Sequence, residues 1–240
     1  MVTSYDKIYL RVGIPAALEG VFMILLSNAD IIMVGSLGTA AIAAVSIFTQ
    51  PRMVLLTVAR SVAAAVTLLI AERFGRQQSD SYGDVMKKTL SLVVVVLGIA
   101  HIVFFIYIED ILLWMGAQEN YIADAVLYAS WTLPAVFITS LSATMQAVML
   151  GRGESMTVLS INLQGNVLNV ILNAFLIYGI GPFPALGVLG AAIGTIGSSI
   201  WSFLLSVRVL FRWGIFGQGS YLPTRDYFRE FLGVFGGIFS

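Results

Sequence analysis

Residues 160–175 read SINLQGNVLNVILNAF, with four asparagines in a mostly apolar run. Asn162, Asn166, Asn169 and Asn173 fall at i, i+4, i+7 and i+11, so all four share one face of an α-helix. A carboxamide in apolar surroundings must find hydrogen-bonding partners. That face therefore turns toward protein or a wet cavity, while the rest of the helix is apolar enough to meet lipid. One polar stripe on an apolar helix marks a membrane helix in a bundle that encloses polar space.

The whole chain supports this solvent. It has 240 residues, 58% hydrophobic and 11% charged, with a mean hydropathy of +0.92. An average soluble domain is about 25% charged. Formal net charge is zero, so the charge balance gives no sign of nucleic acid as a partner. There are no cysteines, which excludes disulfides and thiolate metal sites. Lys7 and Arg11 precede an apolar run too long for a secretory signal, read here as a retained first span.

A helix needs about 20 mostly apolar residues to cross the hydrocarbon core. Six stretches qualify: 12–35, 42–71, 89–108, 125–149, 157–180 and 187–211. The separators are short and carry turn or charge signals, as in GRGES (151–155) and GPFPALG (181–187). Consecutive spans should therefore be antiparallel neighbours. The expected fold is an all-α membrane protein, a bundle of six transmembrane helices.

Basic residues orient it. With a cytoplasmic N-terminus, the inner segments hold Lys7, Arg11, Arg73, Arg76, Lys87, Lys88, Arg152, Arg208, Arg212, Arg225 and Arg229. The outer loops hold no Lys or Arg, but carry Glu109, Asp110, Glu119 and Asp124. The expected location is a cell (inner) membrane, multi-pass. Beyond the sixth span the expected layout is a cytoplasmic linker, 212–230, and the cut opening of a seventh helix, 231–240. Asp6 and Gly13 recur at the same spacing as Asp226 and Gly233, each between a basic flank and an apolar run. That echo suggests residues 1–211 are the first of two similar lobes.

Ionisable groups at membrane depth point to function by default. Glu19 and Asp30 share a face of the first span, whose inner part Pro15 should kink. Thr195, Ser198, Ser199, Ser202 and Ser206 form a hydroxyl stripe on the sixth span, where Gly190 and Gly194 allow close helix contact. A carboxylate with amide and hydroxyl oxygens is a hard donor set. It suits Na⁺, or a proton carried by the carboxylate itself. With no thiolates and one histidine, it does not suit a transition metal.

Other readings of these residues stay open. Asn and Ser stripes also serve as hydrogen-bonded contacts between helices. Glu19 could pair with Arg60, which lies at a similar depth on the second span. Arg52 lies near the level of Asp30, and contact between them would hold the carboxylate ionised. His101 reads as a hydrogen-bonded packing residue.

The segment 13–48, GIPAALEGVFMILLSNADIIMVGSLGTAAIAAVSIF, resembles the first helix and following turn of the multidrug and toxic compound extrusion (MATE) transporters. VMLGRGES (148–155) resembles the family's segment between helices 4 and 5. LNVILNAFLIYGIGPFPALGVLGAAIGT (168–195) resembles its helix 5, outer turn and start of helix 6. The resemblance implies the N-lobe of a twelve-helix, two-lobed antiporter that exports amphipathic, often cationic compounds in exchange for Na⁺ or H⁺. It implies no other cofactor, and as partners the bilayer, small amphipathic substrates and a missing C-terminal lobe or second copy. Carried over by position, Asp30, Asn169, Asn173 and Thr195 match the family's N-lobe cation site. Some members have Asp where this chain has Asn173, and small residues near Arg60.

Two alternatives accompany this expectation. One is a lipid-linked saccharide flippase of the wider superfamily, which calls for a more basic cavity. The other is a truncated, non-transporting membrane protein. An enzyme is not expected, since the chain has neither HExxH nor GxSxG.

Overall fold

The structure, a computed structural model, describes Val21 and residues 32–237. The described chain is helical, with no strands among the described residues. Helix α1 runs Thr39–Gly75, α2 Tyr82–Ile106, α3 Ile108–Trp114, α4 Ile122–Gly151, α5 Ser155–Tyr178, α6 Val188–Arg212 and α7 Arg225–Gly237. Five stretches among the described residues are long and apolar enough to cross a membrane: α1, α2 with its preceding 3₁₀ turn, α4, α5 and α6. They correspond to the second to sixth expected spans. The first lies largely outside the described residues.

Helix α1 has 37 residues. At about 1.5 Å per residue it exceeds a core of about 30 Å, so its ends reach beyond the apolar layer. Glu72 in its last turn pairs at 2.7 Å with Arg76, the residue that follows the helix. Proline interrupts two of the long helices, Pro51 in α1 and Pro134 in α4. Each lacks the N–H that would bond the carbonyl four residues back.

The turns explain the antiparallel order. Helix α5 ends at Gly179, whose φ of 69° is left-handed and suits glycine. The loop then folds back, with the Leu186 amide donating to the Leu176 carbonyl at 2.8 Å. Helix α6 starts beside the end of α5. Gly190 lies against the α5 backbone, where a Cβ would stand 2.6 Å from the Leu176 carbonyl. The GxxxG pair thus brings α5 and α6 close together.

Helix α4 is the most enclosed crossing helix and packs on α1, α2 and α6. Two apolar clusters fill the bundle. One, at the end carrying the basic residues, includes Leu69, Ile70, Met86, Met149 and Leu210. The other, at the acidic end, includes Phe48, Leu112, Leu133, Ile177 and Ala192. On the outside, α2 presents Val95, Ile99, Ile102 and Ile106, a face suited to lipid.

Three stretches differ from simple spans and loops. The third span, read as 89–108, belongs to a helix that begins at Tyr82. Lys88 closes on Asp84 at 2.6 Å within that helix, and Lys87 donates to the Gly219 carbonyl at 3.3 Å. The outer stretch 109–124 contains most of α3, whose Leu112 is fully buried. Helix α7 begins inside 212–230 and lies on the basic end of the bundle. Its Tyr227 and Phe231, one turn apart, join the cluster of Ile70 and Met86. Arg73 bonds Glu230 at 2.9 Å, and the Tyr227 and Thr89 hydroxyls share a hydrogen bond.

Candidate functional site

Four helices, α1, α4, α5 and α6, line two polar cavities at different depths. The smaller, about 380 Å³, lies toward the acidic end. Its lining includes Ser46, Thr49, Gln50 and Arg52 from α1, Tyr128 from α4, Asn173 from α5, and Thr195 from α6. The larger, about 860 Å³, lies toward the basic end. It is lined by Arg60 and Thr67 from α1, Thr139, Ser142 and Gln146 from α4, Asn162 and Asn166 from α5, and Ser198, Ser199 and Ser202 from α6.

The asparagine stripe therefore serves both spaces. Asn162 and Asn166 line the larger cavity. Asn173 is buried at 2% exposure and lines the smaller one. Its Nδ2 donates to Asn169 Oδ1 at 3.4 Å, so these two carboxamides are linked along one face. Room for Asn173 comes from Gly194, which has no side chain to collide with the amide. The Thr195 hydroxyl donates to the Ala191 carbonyl at 2.9 Å. Its proton is thereby engaged.

Polar contacts also cross between helices. Thr139 and Ser199 hydroxyls meet at 3.1 Å, and Gln146 Nε2 donates to Ser206 Oγ at 3.3 Å, both joining α4 to α6. At the acidic end, Ser36 and Tyr178 hydroxyls lie 3.0 Å apart, and both reach the Met33 carbonyl. The hydroxyl stripe of α6 is thus divided: Ser206 and Ser199 bind α4, while Thr195 faces the smaller cavity.

Asn173, Thr195 and Arg52 come together on one cavity, and Asn162, Asn166 and Arg60 on the other. Pro15, Glu19 and Asp30 lie outside the described residues. Buried Arg52 Nε has no hydrogen-bond partner among the described residues. Arg60 is exposed, with no ion pair among the described residues. His101 sits away from both cavities, in an apolar pocket between α2 and α4. Its Nδ1 bonds the Leu97 carbonyl at 2.7 Å, and its ring packs edge-on against Phe137. No group of three metal-ligating His, Cys, Asp or Glu side chains occurs among the described residues.

The α4 contribution was missed in the sequence, although Thr139, Ser142 and Gln146 repeat at spacings of three and four, as the asparagines do. Ser46, Thr49 and Gln50 on α1 carry the same signal.

The MatE family profile matches residues 15–175. The chain belongs to the MatE family. MatE relatives include a probable multidrug resistance protein NorM from Synechocystis, 25% identical over 85% of this chain and 44% of its own length. An FAD transporter from Shewanella oneidensis is 28% identical over 85% of this chain and 45% of its own length. Among solved structures, a MOP superfamily transporter from Pyrococcus furiosus superposes with a TM-score of 0.81 at 25% identity. It covers 95% of this chain and 51% of that one, and its structure is described as having a binding pocket of reverse polarity that suggests a different function. The chain spans about half the length of the MatE relatives it matches, as an N-terminal half would.

Proposed function

We propose that this chain is the N-terminal lobe of a cation-coupled antiporter, driven by Na⁺ or H⁺, that exports small amphipathic compounds. The sequence reading extends these to cationic drugs. The observation that carries the proposal is the gathering of Asn173 and Thr195, from α5 and α6, on one small cavity beside Asn169. Two amides and a hydroxyl supply neutral oxygens. Asp30 is the carboxylate the first span offers to complete a hard site.

Arg52 sets a condition on that site. A guanidinium on the same cavity disfavours a second cation unless a carboxylate offsets it. Asp30 has that role in this reading, and the coupling ion must bind the two access states unequally to drive exchange. In this reading residues 1–211 form the lobe, and the connection that follows leads into α7 at Arg225. The lobe works with a second lobe or a second copy, in an inner membrane with its N-terminus in the cytoplasm.

The test is ion-coupled efflux by the full gene product carrying Asp30→Asn. Loss of coupling with normal membrane insertion is expected. Undiminished, ion-coupled efflux would remove Asp30 from the mechanism.

A further inference from the structure

We infer that the larger cavity binds the anionic group of an amphipathic ligand, a carboxylate, sulfonate or phosphate, with Arg60 as its counter-charge. Arg60 is the one charged residue among the described residues that line this space. It stands within the crossing helix α1, three turns and more from the charged end at Glu72. A positive charge at that depth is costly and is retained where something answers it.

Three arginines at the basic end have visible partners. Arg73 bonds Glu230, Arg76 bonds Glu72, and Arg152 stacks on the Trp213 ring 4.0 Å from its centre. Arg60 is exposed and has no such ion pair among the described residues. A planar guanidinium offers paired N–H donors that match a carboxylate or phosphate. Around it, Gln146, Asn162 and Asn166 bring side-chain amides to the lining. No Asp or Glu stands among the described lining residues, so an incoming cation would meet a repulsion that none of them offsets.

Along the same face of α1, Ala63, Ala64 and Leu68 give the cavity an apolar stretch, to which Leu150 of α4 adds. A cavity of about 860 Å³ holds a drug-sized molecule. The combination selects an apolar body with an anionic head. This narrows the amphipathic class of the proposed antiporter and departs from cationic drugs. It rests on the transporter reading for the export step, but not for binding itself.

The test compares two dyes with one xanthene core and opposite charge, fluorescein (anionic) and rhodamine 123 (cationic). Equilibrium binding is measured on the full gene product in phosphatidylcholine nanodiscs. Fluorescein should bind more tightly than rhodamine 123. Arg60→Gln should weaken fluorescein at least tenfold, and Arg60→Lys should restore most of the loss. Phosphatidylglycerol that competes with fluorescein would make the natural anion a lipid headgroup; failure to compete would make it a free amphiphile, and both support the site. Tighter binding of rhodamine 123 by the unsubstituted protein, or unchanged fluorescein affinity in Arg60→Gln, would overturn it. Dye transport in proteoliposomes is scored separately. Binding of fluorescein without transport of either dye overturns the antiporter and keeps the anion site. Transport of rhodamine 123 with no fluorescein binding does the reverse.

Discussion

The carboxamide of Asn173 fills the space that a side chain on Gly194 would need, its Cγ lying 3.1 Å from where a Cβ would stand. A residue of the cavity wall on α5 is therefore positioned by the absence of a side chain on α6. Packing and site geometry are set by the same contact.

Replacing Gly194 with Ala should push the Asn173 amide out of place and weaken ion coupling. Gly190→Ala meets backbone rather than side chain, so α5 and α6 must part. Overpacking of this kind costs about 1–3 kcal/mol. Both variants should melt below the unsubstituted protein in thermal unfolding, but only Gly194→Ala should alter the ion dependence of efflux beyond its effect on stability. An unchanged melting midpoint in both would contradict the close helix approach.

The docking of α7 should fail in alkali. Burial pushes the Tyr227 phenol up to about 12, against the opposing pull of its Thr89 hydrogen bond and the Arg73 charge. The folded protein thus favours the neutral phenol more than the unfolded chain does. The resulting stabilisation is complete below the ordinary tyrosine value of 10.0 and is lost as pH rises through about 12. Tyrosinate absorbance, followed together with the melting midpoint across that window, checks this. Tyr227→Phe should remove this share of the alkaline loss; an identical alkaline profile in that variant would refute the linkage.

His101 should be dispensable for proton movement. Its ring is bonded to its own helix and packed on Phe137, on the apolar side of α4 rather than at either polar cavity. His101→Phe keeps the shape and apolar contacts, and should change stability by less than about 1.5 kcal/mol. Efflux measured against pH should follow the same curve as the unsubstituted protein. A shifted curve would give His101 a role that its contacts do not suggest.

The crossing helices were legible because length and hydropathy alone decide them. Their ends were not. Helix α2 starts at Tyr82 rather than near residue 89 because Lys88 and Asp84 satisfy each other across one turn. Hydropathy reads both as loop charges. Helix α3 was lost inside an acidic loop, since Glu109 and Asp110 conceal the burial of Leu112. Helix α7 begins at Arg225 because Tyr227 and Phe231 bury one face of an otherwise polar stretch.

The site was legible in one dimension. Spacing placed the four asparagines on one face, but it could not divide them between two cavities. That division depends on α1, which carries Arg52 and Arg60 to different cavities, and on α4, which brings Gln146 to the same cavity as Asn162. Hydroxyls posed the same difficulty: Ser206 and Thr195 share a stripe in sequence, yet one bonds Gln146 and the other lines the smaller cavity.

Pro51 stands beside Arg52 and lacks the amide hydrogen that would close on the Ile47 carbonyl; Pro134 does the same to Ser130 on α4. An α-helix resists bending through its ladder of hydrogen bonds, and both ladders miss a rung. Two neighbouring helices thus carry a point of mechanical compliance, one of them at the wall of the smaller cavity. That wall can change its curvature without breaking a hydrogen bond at the missing rung.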